Sequence, residues 1–238
     1  MNIAIILAAG NSTRMKGKTP KQLLNIDGKP VSVYSIETFQ AHADIDSIII
    51  VTKTDLFETF SKIAKKYHLD KITAIIAGGI TRQASVFNAL AFLDPNIKHS
   101  DIVLIHDAAR PFITKRIIDE NIRIAKKSSA VETAIHCADT ISVSKNGQFV
   151  TNVLERRELY QAQTPQSFVF GLILQAHQKA LFENWTNITD DAQLVLRFGH
   201  EVAIAEGNRN NFKITTHEDF ELAKDFIARG KEHLNDGQ

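Results

Sequence analysis

An α/β protein with a mostly parallel sheet flanked by helices is what this sequence predicts, and three observations carry the prediction. Apolar runs at residues 3–7, 45–51, 72–77 and 102–105 each have the length of one buried strand. Between them, apolar residues recur at helical spacing, and strand alternating with helix is the signature of crossover units. The runs also end in ligand-tolerant residues, Ala8-Ala9-Gly10, Gly78-Gly79 and His106-Asp107. In parallel sheets ligands sit outside the carboxyl ends of the strands.

The first run opens into a polar segment carrying Arg14, Lys16, Lys18 and Lys21. Small residues let the backbone approach a ligand, successive N–H groups make an anion-binding concavity, and cations supply countercharge, so the stretch suits a polyphosphate. It is not a dinucleotide fingerprint, which needs three glycines where only Gly10 stands. Gly17-Lys18-Thr19 matches the end of a P-loop, but Ser12 takes the first glycine's place. Pro20 then disfavours helical geometry at Thr19, where a P-loop helix should already run.

Val33, Ile36 and Phe39 predict a helix from Pro30 to about residue 42, and Leu56, Phe60, Ile63 and Tyr67 predict another. After the Gly-Gly turn, Val86, Ala89, Leu90 and Leu93 give a third helix, whose start carries Arg82 and Ser85 and favours anions. A plain alternative makes Thr81 an N-cap with Arg82 on the surface. At the end of the next strand Asp107 is placed to hold magnesium, which takes one or two carboxylates plus phosphate oxygens; its alternative is a structural pair with Arg110. His106 reads as packing. A helix spans 114 to about 127 through Ile118, Ile122 and Ala125.

Then the period changes. Thr140 to Ser144 alternates, Asn146-Gly147 signals a hairpin turn, and Phe149, Thr151 and Val153 resume the alternation. Such an arm is marginal alone, so a second copy of the subunit is its expected support and a homodimer is expected. The run from Glu155 to Phe168, rich in glutamine and proline, reads as a site-lining loop. A helix follows near 170–181, then a short one capped by Thr189-Asp190-Asp191 and ended by Gly199, a strand at 202–204, and a terminal helix opened by a Thr215–Glu218 capping box. With no low-complexity linker or internal repeat, residues 1–238 read as a single domain with an inserted arm at about 138–160.

Composition narrows the function. At 238 residues, 44% hydrophobic and 23% charged, the chain is globular, and a net charge of +1 argues against a nucleic-acid binder. Cys137 is the only cysteine, which excludes an intrachain disulfide and points to a reducing compartment. The N-terminal apolar run is too short for a membrane span and lacks a signal peptide's basic start, so a cytoplasmic protein without membrane partners is expected.

The segments Leu7-Ala8-Ala9-Gly10, Thr13-Arg14-Met15, Pro20-Lys21-Gln22, Gly78-Gly79, Arg82, Ser85-Val86, His106-Asp107-Ala108-Ala109-Arg110-Pro111-Phe112, Gln163-Thr164-Pro165-Gln166, Thr189-Asp190-Asp191-Ala192 and Asn211-Phe212-Lys213-Ile214-Thr215-Thr216, in this order, resemble one family. It is the 2-C-methyl-D-erythritol 4-phosphate cytidylyltransferases of the non-mevalonate isoprenoid pathway. The resemblance implies a Rossmann-like nucleotidyltransferase fold with a protruding β-hairpin arm for dimerisation. It also implies CTP and a sugar-alcohol phosphate as substrates, with magnesium at Asp107. Residue by residue, Ala8, Ala9, Gly10, Gly79 and Ser85 would hold the nucleotide; Arg14, Lys21 and Lys213 would stabilise phosphate charge; Thr140, Arg156, Thr164 and Arg110 would bind the sugar phosphate. Three positions depart from the family pattern: Ile80 and Asn210 replace residues often acidic, and Ser142 one often lysine. The ribitol 5-phosphate (pentitol-phosphate) cytidylyltransferases are the nearest alternative, with a catalytically silent nucleotide-binding module as an alternative of another class.

Overall fold

The computed structural model of the protein describes residues 1–10 and 19–235. The N-terminal half builds β1 (Asn2–Leu7), the small ribbon β2 (Asn25–Ile26) and β3 (Lys29–Pro30), α1 (Val31–Ala41), β4 (Ser47–Thr52), α2 (Phe57–Lys66), β5 (Ile72–Ala77), α3 (Arg82–Leu93) and β6 (Ile102–Asp107). The C-terminal half adds α4 (Lys115–Ser128), β7 (Ala130–His136), β8 (Ser142–Val143), β9 (Asn152–Val153), β10 (Tyr160–Val169), α5 (Phe170–Phe182), α6 (Asp191–Arg197), β11 (Ala203–Glu206) and α7 (His217–Asn235). Pro30 precedes α1 with φ −58°, already near the helical value, and its missing N–H costs a helix start nothing.

The main sheet has seven strands in the order β11-β7-β10-β6-β1-β4-β5. All neighbours run parallel except β10, which is antiparallel to both β6 and β7. The alternation of β1 sends Ala4 and Ile6 to one face and Ile3 and Ile5 to the other. On the first face α1, α2 and α4 deliver Val33, Ile36, Phe39, Phe60, Ile117 and Ile122; on the second α3 and α5 deliver Val86, Leu90, Leu93, Phe170 and Ile173. Fully burying one such side chain stabilises by about 1.5–3 kcal/mol, so both faces must be covered before the central strands can exist.

Three local expectations change. The Glu155–Phe168 run is not a loop throughout, since Tyr160–Val169 is an interior strand. Pro165 is admitted because the ladder slips between Gln163 and Gln166, a bulge where no backbone donor is required. The arm's ladder pairs only Ser142 with Val153 and Val143 with Asn152, so the connection is longer than a two-residue turn at Asn146-Gly147. Asn146 Oδ1 accepts from the N–H groups of Gln148 and Phe149, and Gly147 supplies φ +72°. Finally, the reciprocal cap of α7 is formed one residue later than expected. Asp219 Oδ2 accepts from the Thr216 N–H at 2.8 Å while Thr216 Oγ1 accepts from the Asp219 N–H at 3.3 Å.

Candidate active site

The carboxyl ends of β1, β5 and β6 converge with the chain around Lys213 on a cavity of about 550 Å³. Its lining includes Ala8, Ala9, Gly10, Lys21, Gly79, Ser85, Asp107 and Lys213, together with Lys53, Ile80 and Arg82. Leaving β1, the chain is pinned twice: the Ala8 N–H donates to Val51 O at 2.7 Å, and Ala8 O accepts from buried Gln22 Nε2 at 2.6 Å. Opposite, a Cβ at Gly78 would stand 2.5 Å from the Ala9 Cβ, and one at Gly79 2.4 Å from the Ala84 Cβ. Only glycine fits either place. Ser85 fastens the turn, its hydroxyl accepting from the Gly79 N–H at 3.0 Å and donating to Thr81 O at 2.9 Å. Thr81 is the N-cap of α3, accepting from the Ala84 N–H at 3.0 Å.

Arg82, however, is not on the surface. Its Nη1 lies 2.6 Å from Asp191 Oδ2 and its Nε 3.5 Å from Asp107 Oδ1. The carboxylate at the end of β6 takes Lys213 Nζ on its other oxygen, Oδ2, at 2.6 Å. Burial alone would raise the Asp107 carboxyl, but Lys213 and Arg82 override it and hold the group well below the usual carboxylate range. The alternative pair with Arg110 is replaced by this arrangement. The Arg110 backbone N–H donates to Asp107 O, and its side chain turns away to the carbonyls of Asn211 and Ala162 at 2.9 and 3.3 Å. Those contacts, with the Ile214 N–H donating to Ala109 O at 2.8 Å, bring the Lys213 segment beside β6.

Thr164 lies behind the cavity wall. Its hydroxyl accepts from the Asp107 N–H at 3.1 Å and donates to His106 Nδ1 at 3.1 Å, while His106 Nε2 donates to Arg110 O at 3.0 Å. Burial pushes the His106 imidazole down to about 4, so the neutral ring serves both bonds. An unfolded histidine protonates near pH 6.5, about where the folded ring does not. Between that pH and about 4 the unfolded chain binds more protons, so stability rises with pH across the window and is lost as pH falls, by at most about 3 kcal/mol. Urea midpoints should therefore fall through this range in the wild type, and His106→Asn should flatten the slope; identical slopes would remove His106 from the acid sensitivity.

Thr140 and Arg156 belong to the arm, exposed and outside this cavity's lining; Arg156 Nη1 donates to Ala138 O at 3.3 Å. Arg14 lies outside the described residues. The sequence gives Gln22 and His177 no role and reads Asp191 only as part of a helix cap. Tandem acids at residues 190–191 were a usable signal, because only Asp190 is needed as the α6 cap, accepting from the Gln193 N–H at 2.8 Å. A second acid and histidine cluster, His42, Asp44 and Asp119, is exposed at both carboxylates. His42 Nδ1 accepts the Asp44 N–H, so Nε2 carries the proton toward Asp119 and is not a ligand lone pair.

Parallel strand ends that meet at one cavity, with glycines where backbone crowds backbone and cations around a buried carboxylate, suit a phosphate-bearing ligand, and the proteins this chain matches place it among the nucleotidyltransferases. Residues 2–229 match the family described as IspD: 2-C-methyl-D-erythritol 4-phosphate cytidylyltransferase. The chain belongs to that family. A 2-C-methyl-D-erythritol 4-phosphate cytidylyltransferase of Clostridium novyi (strain NT) is 43% identical over 231 residues, 97% of this chain and 98% of its own. The crystal structure of 4-diphosphocytidyl-2C-methyl-D-erythritol synthase from Anaerococcus prevotii DSM 20548 matches with TM-score 0.82 at 31% identity, covering 95% of this chain and 96% of that one. The Francisella tularensis 2-C-methyl-D-erythritol 4-phosphate cytidylyltransferase gives 0.78 at 32%, covering 93% and 97%.

Proposed function

We propose that this chain transfers CMP from CTP to 2-C-methyl-D-erythritol 4-phosphate, releasing diphosphate and forming 4-diphosphocytidyl-2-C-methyl-D-erythritol. The observation that carries the reading is Lys213 clamped on an ionised Asp107 at a cavity lined by Ala8, Ala9, Gly10, Gly79 and Lys21. A phosphate oxygen of the sugar phosphate attacks the α-phosphorus of CTP, and the bond to the diphosphate breaks in line. That oxygen is already anionic at neutral pH, so no general base is required. Small residues at 8–10 and 78–79 admit the nucleotide close to backbone. Ser85 holds the Gly79 N–H in place, and Lys21 and Lys213 stabilise charge that grows on the phosphates.

Magnesium fits Asp107, whose carboxylate is ionised and whose Oδ1 has, among the described residues, the 3.5 Å approach of Arg82 against it. When bound, the ion would neutralise charge on the phosphate oxygens. Thr140 and Arg156 bind the sugar phosphate from the arm, and Arg110 and Thr164 brace the cavity floor for it. The arm exposes Phe149 (70%), Val150 (63%) and Val153 (53%), which supports a homodimer in which a second copy covers it. Sedimentation should give twice the chain mass, a monomer overturning that part. No helix of the described residues is long and apolar enough to cross a membrane, and a single cysteine suits the cytoplasm. Diphosphate release from CTP should be fast with methylerythritol 4-phosphate and at least about tenfold slower with ribitol 5-phosphate, judged by kcat/KM. A preference for ribitol refutes the assignment.

A further inference from the structure

Arginine and a carboxylate ordinarily meet as a two-pronged pair with parallel N–H···O bonds. Arg82 does not meet Asp107 this way: only Nε approaches, at 3.5 Å from Oδ1, while Nη1 is drawn 2.6 Å from Asp191 Oδ2. Asp191 is itself fixed. Its Oδ1 accepts from His177 Nε2 at 3.2 Å, its N–H donates to Gln166 Oε1 at 3.0 Å, and it opens α6 directly after the Asp190 cap. It is 1% exposed and not among the residues lining the cavity, and the chemistry above leaves it unused.

We propose that Asp191, steadied by His177, is a positioning residue that holds Arg82 back from Asp107 and so keeps Asp107 Oδ1 available to a divalent cation. The inference rests on the reading of Asp107 as the cation's ligand. Lys213 already occupies Oδ2 at 2.6 Å. Were Arg82 to fork onto the carboxylate, both oxygens would be saturated, and a cation would have to break a buried charge pair that is costly to separate. The anchor removes that obstacle in advance. It also leaves Arg82 paired when Asp107 turns to a metal, so no buried charge is stranded. Because His177 takes Oδ1 of Asp191, Arg82 is directed to Oδ2 alone.

The test is Mn²⁺ binding, read by water-proton relaxation enhancement, which distinguishes protein-bound ion from ion held by nucleotide. It is run with CTP present and sugar phosphate absent, so nothing turns over. Asp191→Ala should weaken Mn²⁺ binding about tenfold, whereas the same change in an Arg82→Ala background should alter it by less than about twofold. An equal loss in both backgrounds overturns the proposal, because Asp191 would then be acting through its own charge. Wild-type affinity in folded Asp191→Ala overturns it as well. Asp107→Asn separates the two readings: if it abolishes Mn²⁺ binding while Asp191→Ala has no effect, only the holding-back role fails. If Asp107→Asn binds normally, the cation reading fails and takes the proposal with it. Should Asp191→Ala not fold by circular dichroism, Asp191→Asn keeps the volume and carries the same comparison, with a smaller loss of about threefold expected.

Discussion

Lys21→Ala should lower kcat for diphosphate release by about 10³-fold, roughly 4 kcal/mol of transition-state stabilisation, with the thermal midpoint within a few degrees of the wild type. Lys21 lines the cavity on a short turn, residues 21–23, whose neighbour Gln22 does the structural work by donating to Ala8 O. The substitution deletes the charge and leaves the bond from Gln22 to Ala8 O in place. A steady-state assay beside a thermal melt separates the two. A variant that retains full kcat would show that the lysine does not touch the reacting phosphates, and one that melts far below the wild type would show that it is part of the scaffold.

Lys213→Ala should cost a similar factor in kcat, about 10³-fold, for a different reason. Among the described residues its ammonium is the nearest cation to Asp107, at 2.6 Å, and the strongest influence holding that carboxylate ionised against its burial. Without it the carboxyl rises toward the range dictated by burial, leaving Arg82 as its close partner. The loss should therefore grow as pH falls, since protonated Asp107 contributes neither charge nor a ligand oxygen. Comparing pH–rate profiles of the wild type and Lys213→Ala checks this. A variant whose deficit stays constant across pH would confine Lys213 to the substrate and uncouple it from Asp107.

Much of this arrangement is legible in the sequence because it depends on local chemistry. The apolar runs that became β1, β4, β5 and β6 had no other way to be buried, and the glycine pair after β5 announced a close approach that the Gly78–Ala9 contact makes physical. What was not legible depends on partners far away in sequence. β10 looked like a loop because its proline and glutamines suit no ordinary ladder. Its position between β6 and β7 follows only from pairing with strands laid down earlier. Arg82 was readable as a surface residue because its countercharge, Asp191, lies 109 positions away. Thr164 shows the same limit: its motif was visible, but that its hydroxyl is spent on His106 and the backbone of Asp107 required β10 to be laid beside β6.

The antiparallel strand has one more consequence. Tyr160 pairs directly with His136, and the Cys137 N–H donates to Leu159 O at 2.9 Å, so the chain leaves the sheet and re-enters it at the same rung. Everything between those residues is an insertion whose length and sequence can change without shifting any other strand by a single register. The molecule is therefore modular in the way a tool with a fixed handle and exchangeable bit is modular. Grafting a relative's arm between residues 136 and 160 is the natural cut for redesign, because the join preserves the sheet that carries the cavity.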